Sequence, residues 1–136
     1  MAKDNKSEKT HIQSVGRRKN ASARVRLHEG NENHTVNGKP IEQYFSAPLM
    51  KSIYEAPLEA VEAKNLYMTV KVVGGGILGQ ARAVAHGLAR SLVAYNGEWK
   101  SVLRQEGLVT RDPRMKERRK AGLAQSARAK KSSPKR

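Results

Sequence analysis

Gly74-Gly75-Gly76-Ile77-Leu78-Gly79 has the spacing G-x-G-x-x-G, after an alternating apolar run and ahead of a helical one. In a dinucleotide-binding unit such glycines let backbone amides approach a pyrophosphate at a helix N-terminus. That chemistry also needs an acid closing a second parallel strand. Glu98 stands near the required distance, but the residues before it run as helix through Tyr95, and no strong strand precedes it. What remains for the motif is a flexible strand-to-helix turn permitting close packing, or one whose amides meet an RNA phosphate.

Two basic groups carry more. Gly16-Arg17-Arg18-Lys19-Asn20 places three positive charges in a turn between strands, and Ser22, Arg24 and Arg26 continue along one strand face. The second group is the C-terminal stretch 111–136. Its bases are Arg111, Arg114, Lys116, Arg118, Arg119, Lys120, Arg128, Lys130, Lys131, Lys135 and Arg136. Eleven bases against Asp112 and Glu117 leave this stretch at +9, and the other 110 residues hold 16 bases against 10 acids, or +6. So one-sided a balance repels itself until a polyanion neutralises it. Lys and Arg at phosphates release counterions, and the affinity gained falls with salt. No Phe, Tyr or Trp follows Trp99, so the tail lacks the rings on which single-strand binders stack bases. Phosphate and groove contacts are the expected mode.

Other chemistry finds little support. His11, His28, His34 and His86 show no metal-ligand spacing, no motif marks a nucleophile, and there is no cysteine. The expectation is a non-enzymatic protein without metal, cofactor or small-molecule substrate. No apolar run approaches the ~20 residues of a membrane span, and Met1 to Lys6 has no apolar leader core. A soluble intracellular protein follows, with no membrane partner.

The elements that must position the basic groups are legible from hydrophobic periodicity. Residues 1–9 are polar and expected to be disordered, residues 10–110 form the globular domain, and 111–136 form an extended arm reaching ~85 Å at ~3.3 Å per residue. His11 to Val15 and Ser22 to His28 read as paired strands, the second burying Ala23, Val25 and Leu27. His34 to Val36 is a third short strand, and Asn37-Gly38 a turn. Ser46 is placed to cap a helix through Glu55, and Pro57 to open another from Leu58 to Ala63. Leu66 to Val73 is the clearest strand. Ile77 to Tyr95 is a long helix with Ile77, Ala81, Val84, Leu88, Leu92 and Tyr95 facing the core and Arg82, His86 and Arg90 in a stripe. Trp99 to Glu106 fits a last short helix.

Several stretches resemble the ninth protein of the small ribosomal subunit, of bacterial type. They are Val15-Gly16-Arg17-Arg18-Lys19-Asn20-Ala21-Ser22-Ala23-Arg24-Val25, Val36-Asn37-Gly38-Lys39-Pro40-Ile41-Glu42-Gln43-Tyr44-Phe45, Thr69 to Gln80, His86 to Leu92, Leu108-Val109-Thr110-Arg111-Asp112-Pro113-Arg114, and the terminal Lys135-Arg136. The resemblance implies an α+β fold with a four-stranded sheet, helices packed on one side and an extended basic C-terminal tail. It implies binding to ribosomal RNA in the head of the small subunit, beside neighbouring head proteins. Arg17, Arg18, Lys19, Ser22, Arg24, Arg26 and the tail bases from Arg111 to Lys131 would contact ribosomal RNA. Lys135 and Arg136 would touch transfer RNA in the peptidyl site. The family's tail carries an aromatic before a closing Ser-Lys-Arg. Here the end reads Ser133-Pro134-Lys135-Arg136, without the aromatic.

Overall fold

The computed structural model describes residues 12–115 together with Arg118, Ala121 and Gly122. The N-terminal segment 1–9 and the tail bases Lys116, Arg119, Lys120, Arg128, Lys130, Lys131, Lys135 and Arg136 lie outside the described residues.

β1 (Ile12–Arg18) and β2 (Ala21–Glu29) form an antiparallel hairpin. Its turn is only Lys19-Asn20, with Lys19 at φ +53°, the positive φ that two-residue hairpin loops ask of their first residue. Gly16 to Arg18, expected in the turn, therefore belong to β1. Gly16 serves a different need: a Cβ there would lie 1.9 Å from the Ala83 carbonyl oxygen and 2.3 Å from the Gly87 nitrogen. It marks the point where the helix α3 (Ile77–Tyr95) crosses the strand backbone to backbone.

β5 (Leu66–Val73) pairs antiparallel with β2 and parallel with β3 (Thr35–Val36), which pairs antiparallel with β4 (Lys39–Pro40). The mixed α+β sheet runs β1-β2-β5-β3-β4, five strands rather than the expected four. The additional one, β4, is the second arm of the Asn37-Gly38 turn, and two residues are too few for alternation to reveal. Asn37 prolongs β3 with its side chain. Its carboxamide accepts from the Val72 N–H at 2.9 Å and donates to the Val72 carbonyl at 3.1 Å.

α1 (Ile41–Tyr44) and α2 (Pro48–Ala60) link β4 to β5. α2 departs from expectation twice. Pro48 opens it with Ala47 as N-cap, so Ser46 does not cap it, and Pro57 sits inside one continuous helix rather than starting a second. Tyr54 and Pro57 are its buried residues, and packing of this helix on α3 outweighs the lost backbone hydrogen bond.

α3 lies on β1 and β2. Ala81, Val84, Leu88 and Leu92 are buried as their spacing predicts, but Ile77 and Tyr95 are 52% and 41% exposed. Both lie at the helix ends, where the sheet no longer covers it. Tyr95 instead donates its hydroxyl to Glu29 at 2.9 Å and stacks on Trp99. Two side chains of α3 reach the outer border of β1. Arg90 donates to the Val15 carbonyl at 2.7 Å, and His86 Nδ1 accepts the Arg17 N–H at 3.3 Å. His86 Nε2 lies 3.0 Å from the Val109 carbonyl and donates to it. After a 3-10 turn, α4 (Lys100–Gln105) adds Leu103 to the core, and the chain leaves it through Gly107.

Candidate nucleic-acid interface

Strand alternation and register decide which bases share a face. Across β1, β2 and β5, Arg17 stands opposite Ser22, and Ser22 opposite Val73. Val15, Arg24 and Lys71 form the next row, and Gln13, Arg26 and Thr69 the one after. Gly16, Ala23 and Val25 point the other way, onto α3. The face turned from α3 therefore brings together Arg17, Ser22, Arg24 and Arg26 from the sequence reading. It adds Lys71, which that reading missed. Arg17, Arg24, Arg26 and Lys71 are exposed. Among the described residues no carboxylate pairs with them.

Arg24 and Lys71 are directly opposed cross-strand neighbours. Like charges in that position destabilise a sheet by a fraction of a kcal/mol, about 0.2–1 for a typical pair. A phosphate between them reverses the sign. A shallow groove lies over this area, lined by Arg24, Arg26, Thr35, Asn37, Thr69 and Lys71. One row beyond Arg26 and Thr69 the His28 ring stacks on Tyr67 at 4.9 Å, and its Nε2 is 3.0 Å from the Thr69 hydroxyl. Tyr67 is buried, so its ring is spent within the protein and is not a platform for a base.

Arg18 is placed differently from its neighbours. By parity it faces inward with Gly16, and it is only 6% exposed. Its Nη1 lies 3.1 Å from Asp112 Oδ2 and donates to the Arg114 carbonyl at 3.1 Å. Arg114 closes on the same carboxylate from the other side, with Nη2 at 2.7 Å, Nε at 3.0 Å and its backbone N–H at 3.0 Å. Hydrogen bonds from Arg114, with the Arg18 charge behind them, hold the Asp112 carboxyl far below the usual carboxylate range. The guanidinium expected on phosphate instead ties the base of the tail to the body. Arg111, Arg114 and Arg118 are exposed along that base.

The triglycine turn also has an internal task. Gly74 takes φ +76°, and a Cβ on it would meet the Asn20 carbonyl oxygen at 2.5 Å. The turn thus seats the hairpin tip beside the start of α3. Gln80 holds it there, donating to the Gly74 carbonyl at 3.0 Å while accepting the Tyr44 hydroxyl at 2.7 Å. Among the described residues no strand follows α3, so the second parallel strand of a dinucleotide-binding unit is absent there. Nor do the described His, Asp and Glu residues gather as a metal site, and no described helix is long and apolar enough to cross a membrane.

Two histidines are pushed toward the neutral form. Burial lowers the pKa of His34, whose Nδ1 accepts the Met68 N–H at 3.1 Å. Burial also lowers that of His86, with Arg90 and Arg111 nearby adding to the effect and the Val109 hydrogen bond opposing it. Acids collect on another side, where Glu32, Glu42 and Glu55 line one hollow with His34, and Glu59 and Glu62 line the next.

The family model described as ribosomal protein S9/S16 matches residues 16–136. A curated relative, the small ribosomal subunit protein uS9 of Maridesulfovibrio salexigens, is 46% identical over 110 residues, 80% of this chain and 85% of its own length.

Proposed function

Given that the chain belongs to the ribosomal protein S9/S16 family, and so is a structural, RNA-binding constituent of the small ribosomal subunit, we propose that its outer sheet face grips ribosomal RNA of the head. Arg17, Lys19, Ser22, Arg24, Arg26 and Lys71 are the contacts from the body. The tail bases Arg111, Arg114, Lys116, Arg118, Arg119, Lys120, Arg128, Lys130 and Lys131 extend them, and Lys135 and Arg136 touch transfer RNA in the peptidyl site. Arg18 acts through Asp112, fixing where the tail departs. The acidic side around α2 turns from phosphate and toward neighbouring head proteins. The protein works in cytoplasmic ribosomes, with no catalytic step. Its contribution is to neutralise phosphate so that RNA helices pack closely.

The observation that carries this reading is the basic cluster on β2 and β5, Arg24 opposed to Lys71 with Arg26 in the next row, none of them paired with a carboxylate among the described residues. Each phosphate neutralised adds roughly 0.7–0.9 to the slope of log affinity against log salt. The variant Arg24→Gln/Arg26→Gln should therefore lower that slope by about 1.5 on RNA from the subunit head. A variant that binds with the wild-type slope would remove the sheet face from the interface.

A further inference from the structure

A second groove opens between α2, α3 and the segment 107–112. Its walls are Ile53, Ala56, Ala85 and Leu108, and Arg17 and Arg82 stand at it. We propose that this groove receives one unpaired nucleotide of the bound RNA, with its base among the apolar walls and its phosphate on Arg17 and Arg82. The proposal rests on the RNA-binding reading above and specifies what kind of RNA element the body recognises.

Four observations point to a nucleotide. The volume, about 370 Å³, lies at the small end of ligand pockets, which run from roughly 300 to 1,000 Å³. It is too little for a helix ~10–12 Å across. Charge decides next. Arg17 and Arg82 are exposed, and the one acid lining the groove, Asp112, is already held by Arg18 and Arg114. A basic peptide is repelled there, this chain's own +9 tail included. Third, the groove holds one ring, His86, and no Phe, Tyr or Trp, and unpaired bases stack on histidine rings and guanidinium planes alike. Last, the groove meets the border of the sheet at Arg17 of the edge strand β1. Arg17 lines the groove and stands across from Ser22, one row from Arg24 and Lys71, so a strand tracking one reaches the other.

The groove floor is settled before RNA arrives. Both ring nitrogens of His86 are engaged, by Arg17 N–H and the Val109 carbonyl. Specificity among bases must then come from Ser52 and Thr110 at the wall. Single hydroxyls discriminate weakly, so shape and lack of pairing, more than base identity, are what the groove reads.

Small subunits assembled with Ser52→p-benzoylphenylalanine test this by photocrosslinking, with Lys71→p-benzoylphenylalanine as reference on the sheet face. An adduct from position 52 to an unpaired nucleotide is the expected result. An adduct to a paired nucleotide, to another protein or to this chain's own tail overturns the proposal, as does no adduct at all. Failure of the groove and failure of the RNA interface give different patterns. RNA adducts at position 71 alone leave the sheet face standing, and their loss at both positions removes the RNA interface altogether. Ala56→Leu supplies a second measure by narrowing the groove. It should weaken binding about tenfold to an RNA fragment holding the mapped nucleotide, in keeping with the contribution of one stacked base, and leave binding unchanged once that nucleotide is deleted. Equal effects on both fragments would overturn the proposal.

Discussion

Replacing Gly16 with Ala puts a methyl group where α3 already stands. The added carbon would sit 1.9 Å from the Ala83 carbonyl oxygen and 2.3 Å from the Gly87 nitrogen. To restore ordinary contact, near 3.4 Å, the helix must retreat about 1.5 Å, loosening Val84 and Leu88 from the sheet. Overpacking a core costs about 1–3 kcal/mol when side chains can shift. Here both obstacles are backbone, so the loss should be at least ~3 kcal/mol, a large part of the ~5–15 kcal/mol that holds a domain together. At ~4–8 °C per kcal/mol for a domain of this size, the melting temperature drops by roughly 12–24 °C. Gly87→Ala should do less. Its Cβ meets Val25 Cγ2 at 2.7 Å, a side-chain methyl, and the Gly16 nitrogen at 3.0 Å, and Ala returns ~0.8–1.0 kcal/mol of helix propensity. A net cost of ~1–2 kcal/mol follows. Gly97→Ala meets nothing within 4 Å and serves as control. Thermal and urea unfolding followed by far-UV circular dichroism and Trp99 fluorescence reads all three. A Gly16→Ala variant melting within ~3 °C of the parent, or a Gly87→Ala variant proving the worse of the two, would refute the backbone-to-backbone crossing at Gly16.

Asp112→Asn should free the base of the tail, raising the rate of trypsin cleavage at Arg111 and Arg114 severalfold with the melting temperature of the body little changed. An unaltered cleavage rate would mean that Arg18 restrains nothing. Between pH 7.5 and 5 the protein should lose stability, because His34 and His86 have folded pKa values below their unfolded 6.5. The unfolded chain then binds more protons as pH falls. Stability is fully present above 6.5 and lost below it, and His34→Gln/His86→Gln should flatten the melting profile across that window. Removing Lys135 and Arg136 should leave assembly of the subunit intact while weakening transfer RNA in the peptidyl site, measured by filter binding at moderate salt.

Much of the fold was legible where two faces differ strongly. β2 and β5 alternate cleanly, and α3 keeps apolar residues at Ala81, Val84, Leu88 and Leu92 on one side. Gly16 misled the reading because a glycine between charged residues signals a turn, when its smallness answers to a helix some 70 residues away in sequence. That one displacement carried Arg18 from the turn to the inner face of β1. Asp112 has no local signature either, since its partner Arg18 lies at the other end of the chain and the Asp-Pro pair reads as an ordinary turn. Lys71 was hidden inside the strand seen most clearly, since its neighbours became visible only once β2 and β5 were in register. Pro57 shows the limit of local rules, as tertiary packing carried α2 through it.

The two borders of the sheet bear on how the protein survives before RNA covers it. Unpaired strand borders invite another chain to add a strand, the first step toward oligomers and fibres. On β1, the Val15 carbonyl and the Arg17 N–H that an incoming strand would need are already taken by Arg90 and His86. The opposite border, β4, is two residues long and ends on Pro40, which has no N–H to offer. A freshly made chain can thus wait for its ribosome without templating its own precipitation, and the charges that seek RNA are spared the added duty of keeping copies apart.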